Sequence, residues 1–166
     1  MIFVGQQLQV LALQQTDSNK ADTLGRSAFN RFYYASFLCT RDMLGKLNPA
    51  WKHTAHAAIP NHLRTAIRKP VKTQLEKNVR NGLMEAGEKS RILTSLQSSS
   101  EELANLLTSA YAVRIIADYQ PEVPINIDGK VIDLEGNKLT TAEQWPNRAN
   151  AYCSQILKAW RSAGVV

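Results

Sequence analysis

The sequence lacks the apolar runs, cysteine frameworks and leader segments that identify several large classes of protein. No stretch of its 166 residues approaches 18 consecutive apolar residues, so we expect no membrane-spanning helix. The two cysteines, Cys39 and Cys153, are far apart and form no Cys-x-x-Cys pair, so we expect a reducing, cytoplasmic setting without a disulfide framework or a zinc knuckle. Segment 1–15 has no basic region before its apolar residues, and we interpret it as a helix and not as a signal peptide.

The common catalytic and metal-binding motifs are also missing. The chain has no glycine-rich phosphate loop, no G-x-S-x-G elbow and no H-E-x-x-H helix. His53 and His56 are three residues apart, as metal ligands can be, but residues 43–75 contain no acidic side chain to complete a site. The sequence therefore predicts no metal and no cofactor.

Amphipathic periodicity predicts an all-α fold for residues 1–166, taken as a single domain. Hydrophobic residues make up 44% of the chain and charged residues 20%, which is enough apolar side chain for a core. A short helix or helical pair is expected around Pro60 and Pro70, because each proline interrupts the pattern. Otherwise we predict an antiparallel bundle of four to five helices, at about 2–15, 20–45, 71–87, 101–119 and 142–163.

Three local patterns lead to more specific expectations. The first helix carries Val4, Leu8 and Leu11 on one stripe, and the segment 26–44 is apolar around its whole circumference. We expect the latter helix to be central, or to face both the core and a partner subunit. The serine-rich segment 94–100 is interpreted as a joint, because Ser99 and Glu102 form a capping box for a new helix.

Residues 123–136 alternate apolar and polar side chains around Asp128 and Gly129. This pattern predicts a two-stranded β-hairpin with a type I′ turn. A single hairpin is marginally stable alone, so we expect it to pack on the helices. The hairpin and the last helix, 142–163, are interpreted as an elaboration of the helical domain.

Positive charge is concentrated between Arg41 and Arg80. This stretch has nine bases and two acids, within a chain whose net charge is +6. Such a block is typical of a surface that binds phosphate or an acidic partner, although a merely solubilising surface is the alternative. The candidate nucleic-acid-binding residues are Arg64, Arg68, Lys69, Lys72 and Arg80.

Two arginines occur in otherwise apolar helical segments, where a charge needs a partner. Arg31 lies in the middle of segment 26–44, and Arg114 precedes Asp118 by four residues. One hypothesis is a structural ion pair of Asp118 with Arg31 or Arg114. The other is a cationic cleft that binds an RNA phosphate and stabilises charge in a transition state.

These segments resemble the HEPN family, the "higher eukaryotes and prokaryotes nucleotide-binding" helical domains. RSAFNRFYYASFLCTRDML (26–44) is similar to the family's first motif, in which an arginine precedes Tyr-Tyr-Ala, and AVRIIADYQPE (112–122) looks like its Arg-x-x-x-Asp-Tyr segment. His56, followed by apolar residues, matches a histidine that often lies between them. The resemblance covers about residues 20–122, and the residues that carry the family motifs are Arg31, Tyr33, Tyr34, Arg114, Asp118 and Tyr119.

The resemblance implies an antiparallel helical bundle, commonly a homodimer, that takes part in toxin–antitoxin or phage-defence systems. It also implies a metal-independent endoribonuclease activity in many members, and a small nucleotidyltransferase as a frequent partner protein. In those members an arginine is followed four to six residues later by a histidine. Here no histidine follows Arg114, so an acid–base imidazole is missing at that position.

Three functional hypotheses therefore remain open. The first is a non-catalytic, dimeric module that binds RNA or a partner protein. The second is a divergent, metal-independent endoribonuclease that uses Arg114, Asp118, Tyr119 and His56. The third is a structural or regulatory subunit held in a larger complex through the hairpin and the last helix. The aromatic residues of that region are then interface anchors, although ordinary core packing is the favoured alternative; they are Trp145, Tyr152 and Trp160.

Overall fold

The structure is a computed structural model that describes residues 1–165. It is 78% helical and contains a small antiparallel sheet, which confirms the predicted all-α class with a β insertion. In the described residues no helix has the length and apolar content needed to cross a membrane. The helices are α1 (Ile2–Gln14), α2 (Ser18–Leu47), α3 (Ile59–Thr65), α4 (Arg68–Arg80), α5 (Ala86–Tyr119), α6 (Leu139–Ala142) and α7 (Trp145–Ala163), and the strands are β1 (Ile125–Asp128), β2 (Val131–Leu134) and β3 (Asn137–Lys138).

Two compact units divide the chain between them. Unit 1 comprises Met1–Leu38 and Leu107–Arg148, and unit 2 comprises Cys39–Leu106 and the chain from Ala149 onward. Helices α2, α5 and α7 each contribute residues to both units. Residues distant in the sequence therefore meet within each unit.

Glycines allow close packing in unit 1. Gly5 of α1 lies against Phe32 of α2, and a β-carbon at Gly5 would be 2.7 Å from Phe32 Cε1. Gly25 of α2 leaves similar room for the sheet, because its β-carbon would be 3.3 Å from Ile125 Cδ1 and 3.4 Å from Ile132 Cγ2. The missing side chains thus bring α1 and the sheet onto α2.

The buried face of α1 is not the predicted stripe. Its buried residues are Gly5 and Ala12, while Val4 and Leu11 are 45% and 44% exposed. The prediction fails for Val4 and Leu11, while Leu8 is half-buried, because the small residues Gly5 and Ala12 form the buried face and Gly5 lies against the Phe32 ring.

Helix α2 buries its aromatic side chains within the chain itself. Phe29, Phe32, Tyr33 and Phe37 are all buried, and the Phe29 ring packs against Trp145 with centroids 6.4 Å apart. This burial supports the expectation of a central helix, whereas a partner subunit on segment 26–44, where Tyr34 is only half-buried, stays a prediction.

Arg26 of α2 binds the C-terminal end of α5. Its Nε forms an ion pair with Asp22 at 2.6 Å, and the other Asp22 oxygen accepts a hydrogen bond from the Ile125 N–H at 2.8 Å. Carbonyls in the last turn of a helix lack partners within the helix. The guanidinium of Arg26 donates hydrogen bonds to such carbonyls and to the loop that follows, at Ile116, Ala117, Gln120, Pro121 and Val123.

The predicted hairpin is present, but its turn is of another type. Strands β1 and β2 pair antiparallel, and Gly129 and Lys130 connect them. A type I′ turn needs positive φ at both central residues, and here only Gly129 (φ 56°) has it. Asp128 lies in the strand, so the expected type I′ turn around Asp128 and Gly129 is wrong.

A second hairpin extends the sheet to three strands in the order β1-β2-β3. Glu135 (φ 51°) and Gly136 (φ 79°) connect β2 to β3, and both have the positive φ of a type I′ turn. The Gly136 N–H donates to Asp133 Oδ1 at 2.8 Å. This two-residue strand was not predicted, because it is too short to show an alternating pattern.

The serine-rich segment is the interior of a helix and not a joint. Helix α5 continues through it, and Ser99 and Ser100 are buried in unit 2. Ser99 Oγ donates to Gln155 Oε1 of α7 at 2.5 Å, and Ser100 Oγ donates to the Leu96 carbonyl of its own helix at 2.6 Å. The predicted helix start at Ser99 is wrong because both hydroxyls find partners that leave the helix intact.

Candidate functional site

The residues that resemble the second family motif form one polar cluster in unit 1, at the end of α5. Arg114 and Asp118 form an ion pair at 2.8 Å, with side chains 15% and 21% exposed. Asn30 of α2 donates its Nδ2–H to Asp118 Oδ1 at 2.7 Å. The Tyr119 ring lies 5.1 Å from the Arg114 guanidinium carbon and is largely exposed. The expected ion pair of Asp118 is thus formed by Arg114 and not by Arg31.

Arg114 is charged, but its charge is compensated. Burial acts to lower the pKa of Arg114, and the hydrogen bond with Tyr119 and the Asp118 carboxylate outweigh burial, so the pKa lies above its ordinary value. Arg114 Nε is buried without a hydrogen-bond partner in the described part of the chain. The ion pair with Asp118, within one turn of the helix, indicates a structural role for Arg114. The unpartnered Nε–H, in contrast, is free to donate a hydrogen bond to a ligand.

Arg31 and its two tyrosines lie in the same unit and differ in exposure. The half-buried guanidinium of Arg31 is 5.7 Å from the Tyr34 ring and 3.9 Å from Met1 Sδ, and within residues 1–165 no carboxylate forms an ion pair with it. Tyr33 is buried, with its ring 5.8 Å from that of Tyr111, and burial raises the pKa of its phenol. Tyr33 is therefore a core residue, and Arg31 is an uncompensated cation.

The candidate histidine belongs to the other unit. His56 lies in a short 3-10 turn, His56–Ala58, in unit 2, whereas Arg114, Asp118 and Tyr119 lie in unit 1. Neither unit by itself combines His56 with Arg114. Among the described residues no group of three or more His, Cys, Asp or Glu side chains could hold a metal ion.

Of the predicted basic residues, Arg64 is already neutralised. Arg64 Nε donates to Glu101 at 2.8 Å and its NH2 donates to Asn105 at 2.7 Å. This guanidinium ties α3 to α5 within unit 2. It is therefore a poor candidate for phosphate binding.

The other predicted bases form an exposed face on α4. Val71 and Leu75 bury the opposite side of this helix. Lys72 has a carboxylate 3.8 Å away, Glu76, whereas no ion pair holds the remaining bases in the part of the chain that the structure describes. The exposed, uncompensated bases of this face are Arg68, Lys69, Lys77 and Arg80.

A second basic feature of unit 2 was missed by sequence reasoning. A groove of about 420 Å³ lies between α5 and α7, and Arg91 and Lys158 line it without any carboxylate. Because Gln155 Oε1 accepts from Ser99, the Gln155 NH2 group is left as a donor. The residues that line the groove are Arg91, Ile92, Ser95, Gln155, Lys158, Ala159 and Ser162. The two cations are 67 residues apart in the sequence, so no local pattern could reveal the groove.

The aromatic anchors of the third hypothesis lie mostly in the cores. Trp145 and Trp160 are buried, and the Trp160 ring is 5.9 Å from Trp51 in unit 2. Only Tyr152 of the three is partly exposed. The two tryptophans are therefore core residues, which is the alternative to interface anchors, and the larger-complex hypothesis stays a prediction.

Comparison with protein families, with curated proteins and with solved structures gave no match to this chain. Unit 1 holds a compensated Arg–Asp–Tyr cluster, and unit 2 presents uncompensated bases on α4 and in the groove between α5 and α7.

Proposed function

We propose that this chain is an HEPN-like, non-catalytic module that binds RNA through the cationic surface of unit 2. The observation that carries the proposal is the exposed face of α4, where Arg68, Lys69 and Arg80 have no carboxylate partner in the described residues. Uncompensated surface cations supply most of the affinity in sequence-independent binding of nucleic acid.

The groove between α5 and α7 supports the same proposal. Its polar lining offers the guanidinium of Arg91, the ammonium of Lys158 and the amide NH2 of Gln155. Donors without a competing carboxylate suit phosphate oxygens, which are acceptors only. We therefore propose that α4 and this groove bind the sugar–phosphate backbone of the RNA.

The test compares two charge-matched double variants in RNA binding by fluorescence anisotropy. Arg80→Gln with Lys158→Gln removes one cation from the α4 face and one from the groove, whereas Lys20→Gln with Lys130→Gln removes two exposed cations from unit 1. We expect the first pair to weaken binding by about tenfold and to lower the salt slope by about 0.7 for each lost phosphate contact with a single strand. The control pair should retain both the affinity and the slope.

Two results would contradict this proposal. An equal loss in both pairs would mean that only net charge matters, and the assigned surface would be wrong. Absence of binding at about 50 mM salt, where phosphate contacts are strong, would reject RNA binding itself.

A divergent, metal-independent endoribonuclease is the second candidate, favoured by the orphaned Nε of Arg114. It predicts RNA cleavage that survives EDTA and is lost in Arg114→Ala, while Arg64→Ala keeps it because Arg64 belongs to the other unit. The compensation of Arg114 by Asp118 supports the non-catalytic proposal instead. RNA that stays intact at high protein concentration would reject the ribonuclease.

We further propose that the module is a homodimer that pairs α1 with α1 of a second copy. Helix α1 contains no charged residue, so two copies do not repel each other. Its exposed apolar residues recur after seven positions, as Phe3 with Val10 and Val4 with Leu11, which is the spacing of paired helices. A helix of this length is about 20 Å long, so we expect a weak dimer.

Sedimentation velocity at increasing concentration tests the dimer. Phe3→Gln with Val10→Gln should shift the protein to monomer, because both apolar side chains leave the seam. Ile127→Gln with Val131→Gln removes two exposed apolar side chains from the sheet and should leave the dimer unchanged. A wild-type monomer at high micromolar concentration, or equal dissociation of both variants, would reject this interface.

The cellular setting of the proposal comes from the resemblance of segments 26–44 and 112–122. We propose a toxin–antitoxin or phage-defence system, in which a small nucleotidyltransferase is the candidate partner protein. Co-expression with neighbouring gene products followed by purification tests it, and recovery of the chain without such a partner would count against it.

A further inference from the structure

Both cysteines of the chain belong to unit 2 and have neighbouring contacts there, although 113 residues separate them in the sequence. Cys39 Sγ is 3.7 Å from Asn150 Oδ1, and Asn150 precedes Cys153 by one turn of α7. Cys153 Sγ is in turn 3.9 Å from Oγ1 of Thr40, the residue next to Cys39. Each thiol thus contacts a residue that is close in the sequence to the other cysteine.

We propose that Cys39 and Cys153 form a reversible, intramolecular disulfide that bridges α2 and α7 when the protein meets a hydroperoxide. The pair is free in this structure, so the reduced form is the one described. The proposal is independent of RNA binding and of the dimer, because it involves neither α1 nor the basic surface.

The two thiols differ in a way that divides the reaction between them. Cys39 is partly exposed, whereas Cys153 is buried. The nearby Cys153 thiol lowers the pKa of Cys39 to about 7, against the opposing effect of burial. The nearby Cys39 sulfur and burial both raise the pKa of Cys153. Cys39 is thus the accessible thiolate that attacks, and Cys153 is the resolving thiol.

The reaction is balanced in two steps. In the first, the Cys39 thiolate attacks one peroxide oxygen, so that an S–O bond forms, the O–O bond breaks and hydroxide leaves. The Cys39 sulfur is oxidised by two electrons to a sulfenic acid, and the peroxide is reduced. In the second, Cys153 sulfur attacks Cys39 sulfur, the S–O bond breaks, and the Cys153 proton leaves with the hydroxyl as water. A dithiol restores both thiols by exchange.

Intact mass spectrometry of the full chain, treated with one equivalent of hydrogen peroxide and then alkylated with iodoacetamide under denaturing conditions, tests the proposal. We expect the loss of two hydrogen atoms, no alkylation, and a tryptic peptide that links Cys39 to Cys153. Dithiothreitol should restore a chain that takes up two alkyl groups. A disulfide-linked pair of chains, or wild-type protein with one added oxygen and a free Cys153, would overturn the proposal.

Two single variants separate the roles of the thiols. Cys153→Ser should accumulate a dimedone-reactive sulfenic acid on Cys39, because the resolving thiol is gone. Cys39→Ser should consume peroxide far more slowly, since the remaining thiol is buried and has a raised pKa. Equal reactivity of the two variants would contradict the assignment of roles. The wild-type mass result does not depend on whether either variant folds.

Discussion

Arg26 shows how much one side chain contributes to unit 1. Its guanidinium binds five carbonyl oxygens and Asp22, and its side chain is only 11% exposed. The residue begins the segment that resembles the first family motif, yet nothing in its local sequence distinguishes it from Arg31. Only Arg26 reaches the end of α5. The local sequence cannot show this difference, because the partner, Ile116, is 90 residues away.

Replacing Arg26 should destabilise the fold strongly. Arg26→Ala removes the ion-pair partner of Asp22 and a hydrogen-bond donor from five carbonyls, so we expect a loss of about 3 kcal/mol in the free energy of unfolding. Arg26→Lys keeps the charge but not the planar fork, and should lose about half as much. Urea denaturation followed by circular dichroism measures both. Equal stability of Arg26→Ala and the wild type would contradict the role assigned to this residue.

The burial of His62 should make the stability of the fold depend on pH. Its Nε2 is buried without a hydrogen-bond partner in residues 1–165, and its ring packs edge-on against Trp51 at 4.5 Å. Burial lowers the pKa of His62, so the unfolded chain binds the proton more readily than the folded one. The stability associated with a neutral His62 is therefore present above the ordinary histidine pKa of about 6.5 and is lost as pH falls below it.

Thermal melts between pH 5 and pH 8 test this expectation. The wild type should lose stability as the pH falls through about 6.5. His62→Phe, which keeps an aromatic ring beside Trp51, should have a shallower dependence. His53→Phe serves as the control, because His53 is exposed and should leave the profile unchanged. Identical profiles for His62→Phe and the wild type would reject His62 as the titrating group.

At the scale of elements, replacing a glycine by alanine should have opposite effects on stability in two helices. Glycine in a helix interior is less favourable than alanine by about 1 kcal/mol. At Gly87 of α5 an added β-carbon meets nothing within 4 Å, whereas at Gly5 of α1 it would be 2.7 Å from a ring atom of buried Phe32. The same substitution should thus have opposite signs in the two helices.

Gly87 lies in the first turn of α5, so we expect Gly87→Ala to raise the free energy of unfolding by less than the interior value of about 1 kcal/mol. Gly5→Ala should lower it by about 1–3 kcal/mol, because α1 must move away from Phe32. Chemical denaturation of the two variants is the measurement. Stabilisation by Gly5→Ala would mean that α1 packs on α2 less closely than described.

For the whole molecule, the chain after Pro121 supplies residues to the cores of both units. Ile132, Leu134 and Trp145 are buried in unit 1, and Ile156 and Trp160 are buried in unit 2. The hairpin and the last helix therefore complete the cores that the earlier segments leave open. This dependence matters for any attempt to isolate a smaller functional domain.

A chain that ends at Gln120 should consequently fail to fold. Removing several fully buried side chains costs more than the 5–15 kcal/mol by which domains of this kind are stable. Loss of amide dispersion in a proton–nitrogen correlation spectrum is the expected outcome. A dispersed spectrum from the truncated chain would show that the hairpin and α7 are dispensable. Ile156→Ala, which removes one buried side chain, should keep the dispersed spectrum and only lower stability.

The sequence by itself determined the class of fold, the existence of the hairpin and the concentration of positive charge before Arg80. These features depend on periodicity, turn residues and composition, which are local. The position of α2 followed from the same kind of signal, and Asp17 caps it through hydrogen bonds to the N–H groups of Asn19 and Lys20.

Only the tertiary structure decided which residues meet. Helix α5 is continuous because Gln155 accepts a hydrogen bond from Ser99. Helix α1 packs on α2 because Phe32 lies opposite Gly5. The charge of Arg114 is compensated by Asp118, which also accepts a hydrogen bond from Asn30. The sequence could not show that Cys39 and Cys153 have neighbouring contacts, because a helical pattern specifies a face but not its partner. Contacts between residues far apart in the chain are selected by the packing of the whole core, and no window of sequence contains that information.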